Sequence, residues 1–270
     1  MQIERGLVKT ALGYMHYRAA GKPGSEAIFL QHMNQQSSEV YLELMAELAP
    51  HLRVVAMDYP SHGDSDHVDA QPSIGDYAQC VVAVADALGM RKFSTLGEAA
   101  GAAVSIELAV SHAPRVNKVV LVNCPYYKDR SVAESRHGPL KSGLRPEDAS
   151  GFPLTRTIEF LLTSDPGHAP MHPTQSWMDR INTAQIECGR HRWQALDALH
   201  DYDIGAGLQK VQCPILLLIG EHFYYLQNRD DFHSKNKQLR SEIIQGGRLC
   251  MGWERAVDVG RHTLAFLRAA

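Results

Sequence analysis

The feature that most constrains this chain is an alternation. Short apolar runs rich in β-branched residues are separated by longer stretches in which apolar residues recur every three or four positions. The runs are Ala27 to Gln31, Arg53 to Asp58, Phe93 to Gly97, Lys118 to Asn123, Pro214 to Gly220 and Ser241 to Gln245. Such runs suit strands buried on both faces, and the helical stretches between them suit the crossovers that parallel strands require. Those stretches are Ser38 to Ala49, Gly75 to Leu88, Gly101 to His112 and Trp253 to Leu267, with Ser37 or Ser38 and Ser73 as N-caps. Gln2 to Thr10 and Tyr14 to Ala19 flank Ala11-Leu12-Gly13 and read as an antiparallel edge hairpin. The expected fold is α/β: a mostly parallel sheet of about eight strands, six of them buried, with helices on both faces.

The rhythm breaks between Tyr126 and about Gln209, where Gly and Pro punctuate the chain and two helical patterns fall near Thr155 to Thr163 and Thr174 to Leu199. An insertion placed there is expected to cap the carboxyl ends of the strands, where open α/β sheets bind ligands. The expected organisation is therefore a core of residues 1–125 and 210–270 with a helical cap at 126–209.

Composition removes several classes of function. A formal net charge of −3 with interspersed signs leaves no electrostatic footprint for nucleic acid. No apolar stretch has a membrane helix's length, and the first residues lack the apolar region of a secretory signal. Five cysteines, odd in number and without a CxxC pair, fit buried residues of a reduced protein better than a disulfide framework. A cytoplasmic protein with no membrane and no nucleic-acid partner is expected.

Four ordered motifs carry a resemblance. Asp58-Tyr-Pro-Ser-His62-Gly63-Asp64-Ser65 follows the fourth strand, and Gly97-Glu98-Ala99-Ala100-Gly101 joins a strand to a helix. Pro214 to Glu221 forms a strand and its exit, and Gly246-Gly247 precedes Trp253-Glu254-Arg255. Together they resemble the α/β-hydrolase fold superfamily over nearly the whole chain apart from the cap, with G-x-S-x-G at the nucleophile elbow. The resemblance implies a Ser-His-Asp triad, but the residues at its three positions are Ala99, Leu249 and Phe223. Ala99 has no atom to attack a carbonyl. No His lies between Ser234 and Arg261, and His262 falls inside the last helical pattern. Cys250 adjoins the position of the base, and Asp129 or Asp230 is near that of the acid. A single Ser→Ala change would not account for three apolar replacements, so the pattern reads as a degenerate triad. Loss of a triad costs on the order of 10⁶ in rate.

The expected site is a capped apolar pocket lined by Met33, Ala99, Ala100, Tyr126, Phe223, Tyr224 and Leu249, suited to an apolar or aromatic ligand. Met33 replaces a small residue of the oxyanion loop, where the N–H of Met33 or Ala100 remains a donor. His32, His222 and Glu98 are the candidate catalytic groups there. Each also has a structural reading: His32 bonded to backbone, His222 in solvent, Glu98 a satisfied carboxylate. Tyr127 and Tyr225 neighbour the lining tyrosines and equally suit cap packing. His168 and His172 have i, i+4 spacing, but Pro170 between them spoils the helix that two metal ligands need, so no metal is expected. Gly205-Ala206-Gly207 lacks the strand-turn-helix setting of a dinucleotide loop, and no cofactor is implied.

Three functions stay open at this point. The first is a cofactor-independent, non-hydrolytic enzyme (lyase, isomerase, cyclase or decarboxylase) acting on a small or medium apolar or aromatic metabolite. The second is a non-catalytic ligand-binding pseudo-hydrolase. The third is a hydrolase with a site rebuilt around His32 or His222.

Overall fold

A computed structural model describes residues 1–126, 131 and 170–269. Its sheet has eight strands in the order β1-β2-β4-β3-β5-β6-β7-β8. β1 (Glu4–Thr10) and β2 (Gly13–Ala20) form the expected hairpin, and β2 pairs antiparallel with β4 (Arg53–Met57). The remaining pairs, through β3 (Ala27–Gln31), β5 (Phe93–Glu98), β6 (Val116–Val122), β7 (Ile215–Gly220) and β8 (Leu239–Ile244), are parallel. Thr10 closes the hairpin: its hydroxyl donates to the Gly13 carbonyl (2.9 Å) and accepts from the Leu12 N–H (3.1 Å).

Two apolar layers cover the sheet, and residue alternation along the strands sorts side chains between them. Phe29, Val55, Leu121 and Leu217 face α2 (Ile74–Ala87) and α3 (Ala100–Ser111). Leu30, Val54, Val120 and Leu218 face α1 (Leu42–Leu48) and the C-terminal helices. In the second layer the Trp177 ring is buried, a contact on the order of 2–3 kcal/mol. α2 begins at Ser73 with a reciprocal capping box to Asp76, which satisfies two first-turn donors.

From residue 170 the chain forms α4 (Gln175–Cys188), α5 (Gln194–Asp201), α6 (Ile204–Lys210) and, after β7, α7 (Arg229–Lys235). α8 (Met251–Glu254) and α9 (Ala256–Arg268) end the fold. α5 and α6 pack on α3. Among the described residues no helix is long and apolar enough to cross a membrane.

Several expectations need correction. β8 is the sheet's edge, with only Leu239 and Ile244 buried, so five rather than six of the expected runs are buried strands. The Thr174 to Leu199 pattern divides at Gly189, whose φ of 52° stops α4. The last pattern divides at Arg255, whose guanidinium turns back to the Gly246 carbonyl (3.3 Å). The segment Ser38 to Ala49 starts as a 3-10 turn, Ser38–Tyr41, before α1. All five cysteines are free, but Cys213 is only half-buried. The pattern at Thr155 to Thr163 lies outside the described residues.

Candidate functional site

The site is organised by the sharp turn from β5 into α3. Ala99 sits at its apex with φ 51° and ψ −114°, a conformation L-residues with a Cβ rarely adopt. The turn closes because its flanks are bare: a Cβ on Gly97 would lie 2.0 Å from the Gly101 carbonyl oxygen, and one on Gly101 1.9 Å from that of Gln31. The Ala99 N–H donates to the Val122 carbonyl (3.1 Å), tying the apex to β6. Ala100 opens α3, so its N–H has no intrahelical acceptor.

Around this apex the side chains are apolar. Ala99 and Leu249 pack against the same layer, and Leu249 also reaches the opposite layer, which holds Phe223. Met33 is buried with its sulfur 3.9 Å from that of Cys250. Burial pushes the Cys250 thiol well above its ordinary range, so it is no thiolate nucleophile at neutral pH. Tyr126 is buried edge-on to Phe232, at 5.0 Å between centroids, and its carbonyl accepts from the Asn228 amide (2.8 Å). Tyr224 is 39% exposed, whereas Tyr225 is buried beside Phe223.

The three candidate catalytic groups are not brought together over the apex. His32 is fully buried and bonded at both nitrogens. The Tyr59 N–H donates to Nε2 (3.1 Å), which leaves the proton on Nδ1 for the Met33 carbonyl (2.8 Å). Burial lowers its pKa to about 4, so the ring is neutral and its proton is committed to backbone. The His222 side chain is 44% exposed and lies 3.7 Å from the Glu221 carboxylate. Glu98 is fully buried, and its carboxylate is taken up by neighbouring donors. It accepts from the N–H of Met251 (2.9 Å) and Gly252 (3.2 Å) and from the Asn123 amide (3.2 Å). Burial raises its pKa to about 7 against the opposing pull of these donors.

The other candidates are dispersed. Asp230 is solvent-exposed beside Arg229, and His262 contacts Arg261 midway along α9. Asp129, Tyr127 and His168 lie outside the described residues. Among the described residues one group has metal-ligand spacing, His16, Asp58 and Asp64. Its charge is already met: Arg5 and Arg18 pair with Asp64, and Asp58 bonds His16 (2.8 Å) and the Ser38 N–H (2.5 Å). This hub fixes the loop after β4 and has no need of an ion.

Sequence reasoning missed Asn123, which is fully buried at φ 46°. It joins three strand ends, donating to Glu98 and to the Arg248 carbonyl (2.6 Å) and accepting from the Gly220 N–H (3.0 Å). Its signal was available, since Asn at the end of an apolar strand is among the few residues that tolerate positive φ.

Comparison with known proteins follows this geometry. Residues 32–260 match the model of the Alpha/beta hydrolase family. A putative carbamate hydrolase of Caulobacter segnis is 35% identical over 113 residues, 40% of this chain and 42% of that protein. Haloalkane dehalogenase 2 of Mycobacterium tuberculosis is 30% identical over 128 residues, 45% of this chain and 42% of its own length. The chain thus spans about two-fifths of the curated relatives it matches. The crystal structure of the enol-lactonase from Burkholderia xenovorans superposes with a TM-score of 0.76 at 18% identity, covering 98% of this chain and all of that one. An epoxide hydrolase from Vigna radiata gives 0.78 at 16% identity, covering 98% of each chain. At these identities the likeness is one of fold.

Proposed function

Because this chain belongs to the alpha/beta hydrolase family, we propose that it keeps the family's ligand site while having lost the Ser-His-Asp triad, and that it works as a ligand-binding pseudo-hydrolase. The site takes a small or medium apolar or aromatic metabolite. A ligand oxygen seats at the Ala100 N–H, and the hydrocarbon body lies against Ala99, Met33 and Leu249.

One observation carries this reading: the side chain at the elbow's apex is a methyl, and among the described residues the candidate groups His32, Glu98 and His222 are each bonded elsewhere or exposed. His32 spends both nitrogens on backbone, Glu98 is bound by the N–H groups of Met251 and Gly252, and His222 faces solvent. A general base must reach the proton it abstracts, and among the described residues none of these three does. The same contacts weigh against a hydrolase rebuilt around His32 or His222. The relatives named above are hydrolases and a dehalogenase; a nucleophile and base are what these positions lack.

A second reading has its own support. Ala99 retains the strained elbow with no nucleophile to present, and strain of that kind clusters where backbone donors serve a reaction. That favours a cofactor-independent lyase, isomerase, cyclase or decarboxylase that stabilises a developing oxyanion at the Ala100 N–H.

Native mass spectrometry of the purified protein, followed by a thermal-shift screen of small apolar and aromatic metabolites, tests the proposal. A ligand at 100 times its dissociation constant adds about 2.7 kcal/mol of stability. Binding without turnover, abolished by Ala99→Trp, is the expected result. Conversion of the bound molecule would transfer the case to the second reading, and the absence of any stabilising ligand would overturn both.

A further inference from the structure

Two carboxylates bracket a single helical turn. Glu98 binds the N–H groups of Met251 and Gly252 at one end of α8. At the other end Glu254 accepts from the N–H groups of Met171 (2.8 Å) and His172 (2.8 Å), where the chain returns from the cap toward α4. The Trp253 ring lies 5.7 Å from that of Trp177, the first long aromatic of α4. Beyond this root, Arg180 fixes α4 to α1 through a two-point pair with Glu43 (2.8 and 2.9 Å) and through the Glu39 carbonyl (3.1 Å). The segment between Met171 and Thr174 is therefore held at one side by α4 and at the other by Glu254.

We propose that Glu98 and Glu254 are positioning residues at the two ends of one link, so that the protonation of Glu98 and the attachment of the cap's return root to α8 are coupled. The link does not depend on which ligand the pocket takes. Its middle is closely packed: a Cβ on Gly252 would lie 2.6 Å from the Tyr41 ring, so the turn is docked against the 3-10 segment Ser38–Tyr41, and lifting it breaks the Glu98 bonds.

The direction follows from burial. Docked, Glu98 is dehydrated and its pKa is about 7; lifted, it meets water and returns to the ordinary value of 4.5. The docked form is favoured when the carboxyl holds its proton, and that advantage is lost as pH rises through about 7. The groups facing Glu98 do not titrate in this range. The Tyr41 phenol, from the 3-10 turn before α1, and the Cys250 thiol, from the loop after β8, are both held neutral by burial. From β6 comes the amide of Asn123, while Glu254 is turned to the root and Arg255 to the Gly246 carbonyl.

Hydrogen exchange measured on the full chain from pH 6 to pH 8, with protection factors corrected for the intrinsic pH dependence, tests the link. In the wild type, protection at Met251, Gly252, Met171 and His172 is expected to fall together by about tenfold. Glu98→Gln cannot ionise and should flatten the response at all four. Glu254→Gln should keep it at Met251 and Gly252 and lose it at Met171 and His172. A flat wild-type profile, a response that survives Glu98→Gln, or Met171 and His172 failing to follow Met251 in the wild type would each overturn the proposal. The wild-type and Glu254→Gln profiles decide it even if Glu98→Gln fails to fold.

Discussion

The carboxylate of Glu98 lies 2.9 Å from the backbone nitrogen of Met251. The residue beside the elbow's apex is thus bonded to the segment that starts two positions after Leu249. In a working triad a polar contact between nucleophile and base would join these two loops in front of the apex. Here the Glu98–Met251 bond joins the two loops instead.

His32 is expected to matter for folding and not for chemistry. His32→Ala removes a buried acceptor for the Tyr59 N–H and a donor to the Met33 carbonyl, and should cost roughly 2–4 kcal/mol in urea unfolding. His222→Ala, at an exposed ring, should stay within about 0.5 kcal/mol. A neutral His32→Ala would contradict the structural assignment.

The elbow's strain is measurable by relief. At φ 51° and ψ −114° glycine is at ease and alanine is not, so Ala99→Gly should stabilise by about 1 kcal/mol despite the greater freedom of the unfolded chain. Loss of more than about 1 kcal/mol in the same measurement would show the turn to be unstrained.

Acid should weaken the loop after β4. Burial alone would raise the Asp58 carboxyl, but the His16 hydrogen bond, the neighbouring His32 and the Ser38 N–H hold it at about 2, below its ordinary 3.8. The stabilisation is fully present above the unfolded value and is lost as pH falls through about 2. It amounts to about 2 kcal/mol, and Asp58→Asn should remove that part of the acid dependence. Unfolding free energies measured between about pH 5 and 2 for both proteins check this.

Much of this architecture was legible because it is written in local patterns. The run Ala27 to Gln31 is a strand with the expected ends, and Ser73 caps α2 as its position implies. The Gly97 to Gly101 turn was legible for a steric reason, since no other residue fits against Gln31 and Gly101. What the sequence could not show was orientation. Nothing in the order of residues says which donors Glu98 meets, because they are the Asn123 amide and two N–H groups more than 150 positions away. The edge position of β8 had a signal that the apolar pattern alone passes over: Arg240 and Glu242 put charges into the strand, as edge strands do.

The most direct test of the account is acylation of Ala99→Ser. Intact-mass spectrometry after mixing with an activated aryl ester should show no acyl adduct above the unmodified wild type. Turnover should stay at the background rate, because on the proposed reading none of the described residues serves as a base to take the new hydroxyl's proton. A stoichiometric acyl-enzyme burst from this single substitution would contradict the claim that the base is missing.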